Sequence, residues 1–433
     1  MTTGWRYAWA MISVAFGGAS LIVPLYVVDL GGDPVTLGVL AAVAAFVGVP
    51  GALLFGRLAD STGRRRGLLL GLLGLVAVAL LATPFTESVA LVIGLNGAVW
   101  FGFAAATPIV TLLAVTDVPE AAWSEAIGAL NKYQGVGWAL GLLLGAAWSA
   151  LAPGVLSAEW VLPGFILVLA GCALGGVGLG VRYVPPDATT AAPPSGTRLR
   201  RALRRSERFS IRAATFPFTP GRADFRGLHP RRFAERFTPL LALYFLAVGF
   251  FFTGFSAFFA PLPVFLTETG FGSGEIFVLY LLNSLAAAAC FGVVGRLATT
   301  YGVTLLQTIG LSGRGVSMPL VALGGVAFGV SPTGIGVLAV LFALIGITWA
   351  VIAVTAGTLV TQLSPASIRG EAFGVYAALS AFAGGVGSVL GGWLAAASYT
   401  SAFVAAGGLV LAGAGLVLAV RRRLPVDASL PTA

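Results

Sequence analysis

Twelve long apolar stretches constrain this chain more than any other feature of its sequence. About 20 apolar residues cross the hydrocarbon core of a bilayer as a helix, and each stretch reaches about that length. Only 9% of the residues are charged, whereas soluble domains carry about 25%. The sequence therefore predicts an all-α polytopic membrane protein with spans at residues 7–28, 36–56, 67–84, 88–115, 124–150, 160–181, 239–266, 273–296, 303–329, 334–362, 371–396 and 399–420.

Residue counts exclude several classes of catalytic and metal site. His229 is the single histidine, so a two-histidine zinc motif cannot form. Cys172 and Cys290 lie far apart in apolar stretches and make no disulfide framework. The single lysine, Lys132, follows Asn131, so the chain has no glycine-lysine phosphate loop. We therefore expect no enzyme activity, no metal, no cofactor, and no ATP-driven pumping by this chain alone.

Apart from Lys132 and Arg314, which lie within spans, the basic residues lie in or at the edges of the loops and termini on one side of the predicted spans. Arg57 and residues 64–66 lie between spans 2 and 3, and twelve arginines lie between Arg198 and Arg236. The opposite loops contain no Lys or Arg and carry Asp29, Asp33, Glu87, Glu159, Glu268 and Glu275. Because cytoplasmic loops carry the excess of Lys and Arg, we expect both termini to be cytoplasmic, in the plasma or inner membrane. The net charge of +9 then indicates topology, not nucleic-acid binding. The arginine-rich segment at residues 198–212 either lies on anionic inner-leaflet lipid as an amphipathic helix or is a solvated linker.

The chain repeats its own pattern of glycine, proline and glutamate at two constant offsets. An offset of 239 residues relates Pro24, Gly31, Gly56 and Gly63 to Pro263, Gly270, Gly295 and Gly302. An offset of 246 residues relates Glu125, Gly128, Gly141 and Gly145 to Glu371, Gly374, Gly387 and Gly391. We therefore predict two parallel six-helix bundles related by pseudo-twofold symmetry, at residues 1–183 and 239–433. An arginine- and proline-rich cytoplasmic connector at residues 184–238 joins them.

The segment GRLADSTGRRRGL at residues 56–68 resembles motif A of the major facilitator superfamily, in the loop between spans 2 and 3. Residues 23–40 resemble the first helix and loop of its 12-helix drug–proton antiporter branch. The resemblance implies the fold of that superfamily and secondary transport by alternating access. In the family, the motif's acid latches the two halves together when the cytoplasmic side is closed. The resemblance assigns this latch to Gly56, Asp60, Gly63, Arg64 and Arg65.

Polar and aromatic residues inside the spans are the candidates for a substrate cavity, because ionisable groups at membrane depth are costly and functional by default. Lys132 in span 5 either faces the cavity or extends its amine to the cytoplasmic headgroups. Arg314 in span 9 is expected either to be structural, because the resemblance places that span at the periphery, or to lie at a misjudged span boundary. Asp29 is the candidate for proton coupling, with interfacial solvation as its alternative. The predicted cavity set is Asn96, Trp100, Asn131, Lys132, Gln134, Trp138, Asn283 and Trp349.

Three functions remain open from the sequence. The leading hypothesis is a monomeric transporter that exports a small organic or amphipathic compound, in exchange for protons. The second is transport of a small anionic metabolite bound by Lys132. The third is a transport-inactive membrane sensor or scaffold that binds a partner through the arginine-rich connector.

Overall fold

The computed structural model describes residues 4–62, 64–116, 118–119, 123–187, 237–365 and 368–423. Within helices, the side chains of residues 53, 54, 56, 57, 60–62, 123–125, 299 and 369–371 are outside the description. The predicted connector at 184–238 lies almost wholly outside the described residues.

The described residues form twelve helices that are long and apolar enough to cross a membrane, and no strands. The first half comprises α1 (Gly4–Asp29), α2 (Pro34–Thr62), α3 (Arg65–Ala82), α4 (Val89–Val115), α5 (Trp123–Leu151) and α6 (Ala158–Tyr183). The second half comprises α7 (Pro239–Phe259 and, after a break at Ala260 and Pro261, Leu262–Glu268), α8 (Ser273–Tyr301), α9 (Val303–Phe328), α10 (Pro332–Leu363), α11 (Arg369–Ala397) and α12 (Tyr399–Arg423). The predicted all-α fold of twelve spans is confirmed.

Local signals explain where these helices begin and where the chain turns. The Asp33 carboxylate caps α2: its Oδ1 accepts hydrogen bonds from the Thr36 hydroxyl at 2.6 Å and the Thr36 N–H at 2.8 Å. These bonds lower the pKa of the Asp33 carboxyl. Gly31 and Gly270 occupy equivalent turns with φ of 86° and 94°, a conformation that other L-residues rarely adopt. The 239-residue repeat is thus also a repeat of backbone geometry.

The two halves meet near one end of the bundle. We call the end near Asp29, Asp33, Glu268 and Glu275 the acidic end, and the opposite end, with residues 64–66 and 421–423, the arginine-rich end. The Ser273 hydroxyl of α8 donates a hydrogen bond of 3.0 Å to the Ser149 hydroxyl of α5. A Cβ added to Gly38 of α2 would lie 2.6 Å from the Ser388 carbonyl oxygen of α11. We call the contacts of these four residues the acidic-end seal.

Candidate functional site

A cavity of about 180 Å³ lies between the two halves, on the inner side of the acidic-end seal. Nine helices contribute to its wall: α1, α2, α4 and α5 of the first half, and α7–α11 of the second half. Five of the predicted cavity residues line it: Asn96, Trp100, Trp138, Asn283 and Trp349. Further polar or aromatic lining residues are Ser20, Ser256, Phe259, Tyr280, Ser284, Arg314 and Ser388. The wall is thus mostly apolar with a few placed polar groups, as small-molecule sites are.

Arg314 supplies the only charged side chain among the described residues that line the cavity. It is the twelfth residue of the 26-residue helix α9 and is only 2% exposed. Its Nη1 donates a hydrogen bond of 2.9 Å to the Ile345 carbonyl oxygen of α10. The side chain therefore extends from α9 to α10 and reaches the space between the halves, contrary to the structural role expected for a peripheral span.

Aromatic rings surround the Arg314 guanidinium. Its central carbon lies 4.4 Å from the ring centroid of Phe255, 5.4 Å from that of Phe259 and 5.6 Å from that of Trp349. Each distance falls within the range of about 6 Å for cation–π attraction, which strengthens when the cation is desolvated. The three rings therefore stabilise the charge of the buried guanidinium.

Three polar atoms around this cavity are buried and have no hydrogen-bond partner among the described residues. They are Nε of Arg314, Nε1 of Trp349 and Oδ1 of Asn283. Buried polar atoms in folded proteins are nearly always satisfied, and an orphan costs about 1–3 kcal/mol. All three belong to residues that line the cavity. Two donors and one acceptor of the cavity-lining residues thus lack a protein partner.

The structure does not bring the other predicted cavity residues of α5 to this site. Lys132 is exposed and shares an outer stripe of the helix with Val136 and Leu143, which are also exposed. Asn131 and Gln134 are buried, at 3% and 2% exposure, but do not line the cavity. The position of Lys132 fits the alternative in which its amine extends to the headgroups.

The remaining predicted site residues lie at the ends of the bundle. Asp29 is exposed at the end of α1 and does not line the cavity. In the motif A segment, Gly63, the burial of Gly56 and the side chain of Asp60 fall outside the description. Arg64 is exposed just before α3, and Nη1 of Arg65 donates a hydrogen bond of 3.2 Å to the Thr116 hydroxyl beyond α4. The latch therefore stays a prediction.

The sequence pattern of the Major Facilitator Superfamily matches residues 8–325 of this chain. The chain belongs to this superfamily. It is therefore a membrane transporter of the major facilitator type and not an enzyme. No curated protein sequence matches this superfamily member.

Solved transporter structures share the fold at low sequence identity. The nucleoside transporter NupG has a TM-score of 0.71 at 13% identity, with 98% of this chain and 100% of that chain covered. A bacterial homologue of the human lysosomal transporter Spinster, in an inward-facing and unoccupied conformation, has a TM-score of 0.71 at 14% identity, with 99% and 98% covered. A POT family transporter in complex with a thioalcohol-conjugated peptide has a TM-score of 0.69 at 14% identity, with 97% and 95% covered. These likenesses establish the fold of this superfamily member, but the drug–proton antiporter branch is not confirmed.

Sequence reasoning missed the part of Arg314 in this site, although a signal was present. A charge in the middle of an apolar span generally faces the bundle interior or a water-filled cavity. The assumption that span 9 is peripheral outweighed that rule. The arginine side chain is long enough to reach from α9 past the Ile345 carbonyl of α10 to the rings of α7.

Proposed function

We propose that this chain moves a small organic solute across the membrane by alternating access, with the central cavity as the binding site. The observation that supports this proposal most is the position of the cavity, which lies between the halves and is bounded on one side by the acidic-end seal. A site at the interface of two repeats becomes open to either side when one bundle rocks against the other. The seal would then be one of two gates.

The proposal includes an orientation and a direction. Both termini face the cytoplasm, because the basic loops lie at the arginine-rich end, and the solute is exported, because residues 23–40 resemble the drug–proton antiporter branch. Asp29 stays the only predicted coupling residue, and no acid is among the described residues that line the cavity. Ser157, exposed between α5 and α6, reports the orientation. A Ser157→Cys variant should react with a membrane-impermeant maleimide added outside intact cells; protection there would reverse the assignment.

Crosslinking the seal tests alternating access without knowledge of the substrate. Ser149→Cys and Ser273→Cys, in a background with Cys172→Ser and Cys290→Ser, place two thiols where the hydroxyl oxygens are 3.0 Å apart. That distance suits a disulfide, whose Cβ atoms lie about 3.5–4.5 Å apart. A further Ser256→Cys change puts a reporter thiol in the cavity wall. Reaction of this thiol with sulfonatoethyl methanethiosulfonate is followed by mass spectrometry in vesicles of each orientation.

Reduced protein should be labelled at Ser256→Cys from both membrane faces, and oxidised protein only from the arginine-rich end. Each single-cysteine seal variant, which cannot crosslink, is the matched control and should be labelled from both faces under oxidation. Equal labelling of the crosslinked protein from the acidic end would contradict the gate. Labelling of reduced protein from one face only would favour a static sensor or scaffold.

A further inference from the structure

We propose that the transported solute is an organic anion with a carboxylate and an apolar body of about one aromatic ring, and that Arg314 binds the carboxylate. This inference rests on the proposed function of the central cavity. It identifies the substrate class. It also assigns anion binding to Arg314 instead of Lys132, which lies on the outer surface.

The charge balance of the cavity supports an anion. Arg314 lines the cavity and is 98% buried, and no Asp or Glu is among the described residues around it. A buried charge without a partner is strongly unfavourable, because it loses its hydration without gaining an opposite charge. The aromatic rings and the Ile345 carbonyl compensate part of that loss. A carboxylate that enters the cavity would supply the opposite charge that the protein itself does not.

The hydrogen-bonding geometry supports a carboxylate in particular. The guanidinium carbon lies 4.4 Å from the Phe255 ring centroid and Nη1 donates a hydrogen bond to the Ile345 carbonyl oxygen, while Nε is buried and unpartnered. Arginine binds carboxylates through parallel N–H donors in the plane of its fork, and such paired bonds are both strong and directional. Nε1 of Trp349 is a second buried donor without a partner, on a ring 5.6 Å from the guanidinium carbon. An anion with two acceptor oxygens can satisfy both residues.

The rest of the cavity wall determines the size and apolar character of the ligand. Trp100, Trp138, Leu142 and Phe259 present apolar or aromatic surface to the cavity. The volume of about 180 Å³ is close to that of cavities of about 150 Å³ that hold one benzene molecule. Asn283 adds one unpartnered acceptor for a donor on that body. Benzoate is thus the simplest probe that carries both the carboxylate and the single aromatic ring of the proposed ligand.

Binding of three matched probes to purified wild-type protein tests the inference without any mutation. Benzoate is anionic at pH 7, benzamide is neutral and benzylamine is cationic, and all three carry one ring. Three tryptophans of the wall, at 100, 138 and 349, report occupancy through their fluorescence. Because a hydrogen bond to a charged group contributes about 1.5–3 kcal/mol, benzoate should bind about ten- to a hundredfold more tightly than benzamide. Benzylamine should bind most weakly, since its charge repels Arg314.

Variants then assign the selectivity to Arg314. Arg314→Gln removes the charge and should reduce benzoate affinity to about that of benzamide. Arg314→Lys keeps the charge but not the planar fork, and should recover only part of the affinity. Trp349→Phe keeps an aromatic ring but removes the indole N–H donor. Benzoate binding should weaken about two- to tenfold, as expected for the loss of an ordinary neutral hydrogen bond. Lys132→Met removes an equal charge from the outer surface and is the matched control, with no expected effect.

The outcomes separate this inference from the proposed function. Benzamide or benzylamine binding as tightly as benzoate to wild-type protein would overturn the anion inference, even if Arg314→Gln failed to fold. Benzoate selectivity that survives in Arg314→Lys unchanged but disappears in Lys132→Met would also overturn it. Neither result affects the accessibility experiment on the seal, which fails or succeeds independently of any ligand.

Discussion

The two halves have corresponding helices, but buried positions at the same distance from the starts of α3 and α9 differ in how far their side chains reach. Val76 and Arg314 are each the twelfth residue of their helix, which begins at Arg65 or Val303. Both are buried, at 0% and 2% exposure. Val76 lies against α4, where a Cβ added to Gly102 would be 2.7 Å from its Cγ2, whereas Arg314 extends past α10 to the rings of α7. Each helix thus has a buried residue at this distance from its start, and side-chain length and charge decide whether that residue becomes part of the cavity.

Placing the charge in the wrong half is the strongest test of this comparison. Val76→Arg would bury a cation against α4, where the structure gives it none of the aromatic and carbonyl contacts of Arg314. An arginine at the centre of a span costs roughly 2.5–3.5 kcal/mol on insertion scales, so the yield of folded protein should fall strongly. Val76→Met, long but uncharged, is the matched control and should lose less. Fluorescence-detected gel filtration measures both, and normal yields for Val76→Arg would show that the halves do not differ as argued.

Helix-to-helix packing should, in contrast, be equivalent in the two halves. Gly141 and Gly387 are related by the 246-residue offset (387 − 246 = 141), and each lies against the backbone of the first helix of its half. A Cβ at Gly141 would be 2.6 Å from the Gly18 nitrogen, and one at Gly387 would be 2.8 Å from Thr253 Cα. Backbone cannot move aside as a side chain can, so Gly141→Ala and Gly387→Ala should each destabilise the protein by about 1–3 kcal/mol.

Thermal unfolding in detergent measures the two alanine variants side by side. Equal decreases in the unfolding temperature would support the equivalence of the halves. Gly408→Ala in α12 is the control, because no heavy atom lies within 4 Å of a Cβ added there. A decrease in only one half would show that the repeat in sequence is not a repeat in packing.

The sequence predicted the elements that depend on local or repeating signals. Apolar length gave the twelve spans, and the constant offsets related turns such as Gly31 and Gly270, which share a positive φ. The direction in which a side chain points from its helix was harder to predict. Trp100 and Trp349 line the cavity as expected, whereas Lys132 points outward and Arg314 points inward. A single charged residue in an apolar helix has the same local sequence pattern whichever face it lies on. Which face a helix buries depends on its neighbours in the bundle, and the sequence specifies those neighbours only through the whole fold.

Gly145 and Gly391, one helical turn beyond the previous pair, should have different effects although the same offset relates them (391 − 246 = 145). A Cβ at Gly391 would be 2.6 Å from the backbone carbonyl carbon of Ala257 within its own half. A Cβ at Gly145 would be 2.6 Å from Cζ of the Phe277 ring, which belongs to the other half. Gly391→Ala should therefore destabilise the fold, whereas Gly145→Ala should loosen the acidic-end contact.

The expected shift for Gly145→Ala is up to about tenfold in the population open at the acidic end, which corresponds to about 1.4 kcal/mol. We expect Gly145→Ala to speed the labelling of Ser256→Cys from that end and to leave the unfolding temperature unchanged. Gly391→Ala, assayed in parallel, should show the reverse pattern. If both variants lowered the unfolding temperature equally, Gly145 would be a packing residue like its counterpart and not part of the contact between the halves.

The smallest expected difference lies at the starts of α2 and α8. Asp33 caps α2 through its carboxylate, and its counterpart Gly272 (272 − 239 = 33) caps α8 without a side chain. Asp33→Gly makes the first half like the second and should cost only a few tenths of a kcal/mol, as glycine is a tolerable N-cap.

The contribution of the Asp33 carboxylate should also depend on pH. Hydrogen bonds from Thr36 lower the pKa of Asp33 in the folded protein, so its charged form stabilises the fold. This contribution is fully present above the ordinary pKa of about 3.9 and is lost as the pH falls through the lower folded value. Asp33→Asn keeps a capping oxygen that does not titrate. The difference in unfolding temperature between wild type and Asp33→Asn should therefore be constant from pH 7 to pH 5 and shift in favour of Asp33→Asn below about pH 4. A difference that does not change with pH would show that the Asp33 charge contributes nothing to the cap.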